Sequence, residues 1–212
     1  MFRAWLDCPR DWSNGAGTMF DDLDEIRLDC TNRLIRAARD RKSPMHTPVI
    51  VTGDVDARVM VLRAFDAQRW TLRLHTDARA PKAKVIAADP RMAVLFYDKG
   101  AKIQIRARGT GQILTEGPEV DAAWQASTNF ARRCYLGDGP GAVAEGPTSG
   151  LPPEFEGAEP DDAQLIPARP NFALLRITIQ SLDWLYLAHT GHIRAQFERG
   201  DDDSWQGRWV SP

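Results

Sequence analysis

Between residues 47 and 113 the chain repeats a two-residue hydrophobic period in five successive runs: PVIVT, RVMVLRAF, WTLRLHT, MAVLFY and KIQIRARGTGQIL. A period of two sends alternate side chains to opposite faces of a strand, so each run can bury one face and wet the other. Parallel strands need long crossovers, and the connections here are mostly short, so the pattern predicts an antiparallel meander or barrel rather than a βαβ array. One interval is wider. After His75, Pro81 suits a first helical position, KAKVIAAD follows, and Asp89-Pro90 stops it, which predicts a short helix plugging one barrel mouth.

The flanks carry different signals. Over residues 18–42, Phe20, Leu23, Ile26, Cys30, Leu34 and Ala38 recur at helical steps. Thr18 with Asp21 can satisfy free amides at the start, acidic residues precede basic ones as the helix dipole favours, and Pro44 and Pro48 end the segment. A second helix is predicted over about 118–133, opened by Pro118 and striped by Val120 and Trp124. Residues 137–170 hold six Gly and seven Pro with seven acidic side chains and one base, Arg169. Such a stretch cannot bury enough apolar surface to fold alone, and it predicts a long loop, a lid or a partly disordered link. FALLRITI, DWLYLAHT, HIRAQFER and SWQGRWV then read as closing strands over 171–210. The expected whole is a single domain over 1–212, mainly β with flanking helices.

Charge and cysteine usage narrow the function. A net charge of -2 gives no general attraction to nucleic acid or to an anionic membrane, so clustered cations would act locally, on a small anion. Cys8, Cys30 and Cys134 are odd in number and lack metal-ligand spacing, which predicts neither a disulfide framework nor a metal site. No leader pattern and no membrane-length apolar run is seen, so the expectation is a cytoplasmic protein. No Gly-rich dinucleotide fingerprint follows a strand.

Several residues could carry chemistry. Arg58 and Arg63 lie five apart in one run, hence on opposite faces of a regular strand; they either hold separate anions or are solvated strand-end charges. His75-Thr76 followed by Lys82 brings a hydroxyl, a cation and helical amides towards one point, with a capped turn and an exposed lysine as the ordinary alternative. Gln104 is either an amide inside the barrel able to pair with a heteroaromatic ring or an edge-strand glutamine. His192 and Arg194 share a strand face downstream of Trp184, as ligand contacts or as an exposed polar face.

The ensemble is more specific than its parts. R-x-x-V-L-R (Arg58, Val61, Leu62, Arg63), L-H-T-D (Leu74 to Asp77), P-K-A (Pro81 to Ala83), D-P-R-M-A-V-L-F-Y (Asp89 to Tyr97) and Q-I-R-A-R-G (Gln104 to Gly109) resemble, in order and spacing, the pyridoxamine 5'-phosphate oxidase family of FMN-binding split barrels. The likeness is strong over 47–115 and weaker in the last 30 residues, where Trp184, His192 and Arg194 resemble the family's W…H-x-R. It implies an antiparallel split β-barrel with FMN as cofactor. Arg58 and Lys82 would hold the phosphate, Val61-Leu62 would line the flavin, His75-Thr76 would sit beside ribityl and ring, and Gln104 would approach the ring edge. Arg63 replaces a family lysine that reaches towards substrate. A homodimer is implied, with Trp184 and Arg194 completing the site from the partner chain.

The departures are as informative. Where the family has a serine and an arginine before the lysine, this chain has Ala80 and Pro81, leaving Arg79 as the nearest cation to compensate. The family segment that grips the substrate phosphate reads FARRCYLGDGPG here, so Arg132, Arg133 and Tyr135 join Arg63 and His192 as candidates facing substrate, and an expected arginine is Thr190. The expectation is an FMN-dependent oxidase or reductase acting on an unidentified small molecule. The rivals are a flavin-binding store or sensor without turnover, and a split-barrel binder of haem or a deazaflavin.

Overall fold

The computed structural model describes residues 20–212; Cys8 and Thr18 lie outside them. Helix α1 (Leu23–Arg39) starts one turn later than the sequence suggested, because Asp22 accepts the N–H groups of Asp24 and Glu25 and so caps it. Ile26, Cys30, Leu34 and Ala37 form its buried face against the sheet. Burial also drives the Cys30 thiol pKa upward, so it packs as a small apolar group, whereas Cys134 is exposed.

Nine strands form one antiparallel sheet: β1 (Val49–Val51), β2 (Ala57–Val59), β3 (Leu62–Asp66), β4 (Thr71–Asp77), β5 (Arg91–Asp98), β6 (Ile103–Leu114), β7 (Phe172–Tyr186), β8 (Ile193–Arg199) and β9 (Trp205–Val210). The order β2-β1-β5-β6-β7-β4-β3 curls the sheet around the core, and β8 and β9 extend from β7. Two boundaries differ from the sequence reading. RVMVLRAF is two strands, parted at Met60-Val61, where Met60 and Leu62 donate to the carbonyls of Pro48 and His46. FALLRITI and DWLYLAHT are the two halves of one strand, β7.

The first half of β7 pairs with β4 and the second with β8, while β6 runs along nearly all of it. A register shift after Arg108 lets one strand serve both neighbours. Gly109 makes the shift possible: a Cβ there would lie 1.8 Å from the Thr178 carbonyl oxygen. The core between the curled faces holds Ile50, Leu62, Leu72, Leu74, Phe96, Ile105, Ile177 and Trp184.

Helix α2 (Pro81–Ala88) occupies the predicted place between β4 and β5. The helix expected over 118–133 is instead broken into α3 (Pro118–Gln125) and α4 (Asn129–Arg132), with Thr128 capping the second. The Gly/Pro-rich segment is tied down rather than free. Leu165 and Ala168 join Val120, Trp124 and Phe172 in a second small core, and the Arg133 guanidinium donates to the carbonyls of Phe155, Glu156 and Ala158. Among the described residues no helix is long and apolar enough to cross a membrane.

Gly109→Ala is expected to destabilise the protein by about 2 kcal/mol or more, because the clash is with backbone that cannot step aside. Gly146→Ala, with nothing within 4 Å of the added carbon, should change stability by less than about 0.5 kcal/mol. Urea denaturation of both variants checks the contrast.

Candidate functional site

The strand break at Met60-Val61 decides how the two arginines are used. Arg58 and Arg63 lie on different strands, so the one-strand geometry does not apply. Arg58 stands opposite Ile50, with its guanidinium donating to Thr52 Oγ1 at 3.1 Å and paired with Asp56. Arg63 falls at the register shift between Leu62 and Ala64, and the bulge leaves it exposed. Since Met60 and Leu62 both point their N–H groups back towards residues 46–48, alternation leaves the Val61 amide on the open side. Leu62 itself is fully buried.

Arg58 meets Lys82 at the mouth covered by α2. The Lys82 pKa is lowered, first by partial burial and next by the Arg58 charge, with Asp77 and Asp56 working the other way. Arg58 is already paired with Asp56, so the half-buried Lys82 ammonium beside it is the charge left to favour an anion here. Thr76 is the penultimate residue of β4, next to Asp77, whose charge acts on Lys82. Its hydroxyl is buried with no hydrogen-bond partner, a donor without an acceptor. The cluster therefore fits an oxyanion in both charge and hydrogen bonding.

Arg79 does not replace the absent family cation. Its guanidinium is spent on Asp77, at 3.0 Å from Nε and 2.7 Å from Nη2, and this hydrogen-bonded pairing raises the Arg79 pKa. The 137–141 turn leans on the same spot, since a Cβ on Gly139 would lie 3.6 Å from Arg79 and one on Gly141 3.5 Å from Pro81.

A second cluster lies beside the first. His75 and Tyr135 both feel the Arg63 charge, and both aromatic rings pack on Phe172, at 5.0 and 5.1 Å between centroids. Partial burial, then the Arg63 and Arg73 charges, lowers the His75 pKa to about 4, so at neutral pH it is an uncharged imidazole. Burial raises the Tyr135 pKa, keeping the phenol protonated.

Other sequence candidates are placed elsewhere. Arg132 is buried as the cap of α3, donating to the Trp124 and Gln125 carbonyls at 2.8 and 2.9 Å, and Arg133 holds the 155–158 turn. Arg132 is thus committed to the end of α3, and Arg133 binds carbonyls through Nη1 while its buried Nε has no partner. Trp184 is fully buried in its own barrel, with its ring 4.6 Å from Phe20, so it offers no surface to a partner chain. His192 precedes β8 and is exposed.

Gln104 and Arg194 lie on the sheet face opposite Ile103 and Ile105, in one cross-strand row through Leu185. Arg194 is bound to Asp183 at 2.7 and 3.0 Å, and Asp183 also takes Arg106 at 2.6 Å and Gln196 at 3.0 Å. Burial of Asp183 works against its ionisation, yet these donors outweigh it and lower its pKa. Asp183, Asp77 and Asp56 were assigned no role from the sequence. The usable signal was a carboxylate at a cross-strand or i±2 position from each arginine.

This arrangement defines the class: a curled antiparallel barrel with a cationic mouth beneath a short helix. Residues 31–115 match the family model for the pyridoxamine 5'-phosphate oxidase FMN-binding domain. Those residues belong to the pyridoxamine 5'-phosphate oxidase-like FMN-binding domain family. It is 28% identical over 168 residues to a pyridoxine/pyridoxamine 5'-phosphate oxidase from Caulobacter vibrioides, covering 75% of this chain and 68% of the relative. The namesake from Xanthomonas campestris is 26% identical over 170 residues, covering 76% and 81%.

Among solved structures, a pyridoxamine 5'-phosphate oxidase-related, FMN binding protein from Nostoc punctiforme superposes with a TM-score of 0.69 at 23% identity, over 88% of this chain and 97% of that one. PhzG from Burkholderia lata, in complex with tetrahydrophenazine-1-carboxylic acid, gives 0.62 at 16%, over 89% and 92%. Both show the same fold.

The His75 environment makes a pH prediction. A histidine with a folded pKa near 4 and an unfolded one near 6.5 binds its proton preferentially when unfolded, so stability is full above pH 6.5 and falls between 6.5 and 4. His75→Gln should flatten this part of the profile by about 1 kcal/mol, roughly 2–4 °C in Tm, measured by calorimetry from pH 7.5 to 4. An unchanged slope would contradict the assignment.

Proposed function

We propose that the protein binds FMN and is an oxidoreductase acting on a small molecule other than pyridoxamine 5'-phosphate. The observation that carries the cofactor is the Arg58–Lys82 pair beside the unpartnered Thr76 hydroxyl. In this reading Arg58 and Lys82 hold the phosphate, Thr76 donates to it, and the Val61 amide and Gln104 face the ring. Bound FMN would supply two-electron redox chemistry. Neutral His75 and protonated Tyr135 would then offer hydrogen bonds, with Arg63 as the exposed cation towards substrate.

The substrate part rests on where the arginines are. Arg132 caps α3 and Arg133 anchors the 155–158 turn through Nη1, so both guanidinium groups have structural partners where the family segment grips a substrate phosphate. A homodimer is part of the proposal. The face carrying Gln104 and Arg194, with half-exposed Tyr97 nearby, would meet a second copy, and Asp183 would hold the Arg194 guanidinium oriented towards the partner's cofactor.

Gentle purification should give a yellow protein with flavin absorption bands. Arg58→Ala and Lys82→Ala should each weaken FMN binding by about tenfold or more, as expected for loss of a charge-assisted phosphate contact, and Asp161→Ala should not. Peroxide release with pyridoxamine 5'-phosphate should be poor, and flavin reduction is to be assayed with NADH and NADPH. A colourless protein that ignores added FMN would overturn the cofactor reading. Efficient oxidation of pyridoxamine 5'-phosphate would overturn the substrate reading, and silence in every assay would favour a binder.

A further inference from the structure

On the outer face of β4, β7 and β6, away from the mouth described above, lies a cleft of about 650 Å³. Two cross-strand rows make its floor. Thr71, Thr178 and Thr110 form one; Arg73, Arg176 and Gln112, one step along the same face, form the other. Arg73 and Arg176 are direct cross-strand neighbours, and like charges so placed repel.

Among the described residues one carboxylate serves both. Glu119 of α3 stands 3.9 Å from Arg73 and 3.4 Å from Arg176, and Arg176 Nη2 donates to Gln112 at 2.7 Å. Arg73 Nε is buried without a partner. At the rim, Arg69 reaches Asp66 only at 3.9 Å. Arg199 has a side chain 10% exposed, is paired with Asp203 at 2.8 Å, and has its Nε unpartnered. Four guanidinium groups thus line the cleft with three carboxylates, and the deficit of negative charge sits on the floor.

We propose that this cleft binds a doubly charged phosphate group carried by a small molecule. The group would sit over the Arg73–Arg176 pair, where two planar forks supply charge-assisted hydrogen bonds, and the threonine row would donate hydroxyls to the rest of the molecule. The volume is that of a metabolite site. Glu119 then acts as an internal competitor that partly neutralises the floor when no ligand is bound. The phosphate position is distinct from the proposed cofactor mouth on the same strand: Arg73 and Asp77 are four residues apart on β4, roughly 13 Å at about 3.3 Å per residue.

Calorimetric titration with inorganic phosphate at fixed ionic strength tests this, using the full chain with saturating FMN and again with FMN withheld. Saturable binding of equal affinity is expected in both, with none from acetate at the same concentration. Arg176→Gln and, independently, Arg73→Gln should weaken binding by about tenfold. Glu119→Gln should strengthen it severalfold, the opposite of what a merely structural ion pair predicts. Circular dichroism confirms that each variant is folded. The proposal is overturned if phosphate gives no saturable heat, if FMN abolishes it, or if Glu119→Gln weakens or does not alter it.

Discussion

Pairing along β7 is the constraint on which the molecule depends. Its fifteen residues serve β6 on one edge and β4 then β8 on the other, so the barrel half and the β8–β9 extension share one backbone ladder. The handover falls where Gly109 lets β6 approach the Thr178 carbonyl. Because β4 is pinned in this way, its end presents Thr76 and Asp77 at the barrel mouth and starts α2, which carries Lys82. The anion-holding geometry is thus a consequence of sheet register rather than of a flexible loop.

Charge is distributed over this scaffold with a consistent logic. Most arginines are matched to a local carboxylate or to orphan carbonyls: Arg79 to Asp77, Arg194 to Asp183, Arg132 to the end of α3, Arg133 to the 155–158 turn. At two places cations stand side by side: Lys82 beside Arg58, which is itself paired with Asp56, and Arg73 beside Arg176, which share Glu119; in both places a buried polar atom lacks a partner. Burial makes such incompleteness unfavourable, which is why it marks binding surfaces.

Much of the fold was legible because periodicity and proline placement are local signals: alternation gave the strand series, helical steps the N-terminal helix, and Pro81 with Asp89-Pro90 the short α2. Its limits have physical causes. Met60-Val61 is apolar and β-favouring, so nothing local marked the break between Arg58 and Arg63; two carbonyls near residues 46–48 make it. Gln180 and Ser181 suggested a gap in what is one strand with a register shift. At the site, Arg58, His75, Thr76 and Lys82 could be picked out by order and spacing, and the structure brings Arg58 to Lys82. Arg132, Arg133 and Trp184 misled because residue type does not tell a satisfied guanidinium from a free one, or which face of β7 an indole takes. Those facts depend on carbonyls and rings far away in sequence.

The central claim is that the barrel mouth recognises a phosphate, and the most direct test compares FMN with riboflavin, which differ only in that group. Fluorescence-quenching titrations should show FMN bound at least about a hundredfold more tightly, since two charge-assisted contacts are at stake, with most of the difference lost in Lys82→Ala. Equal affinities for FMN and riboflavin in the unaltered chain would contradict the account.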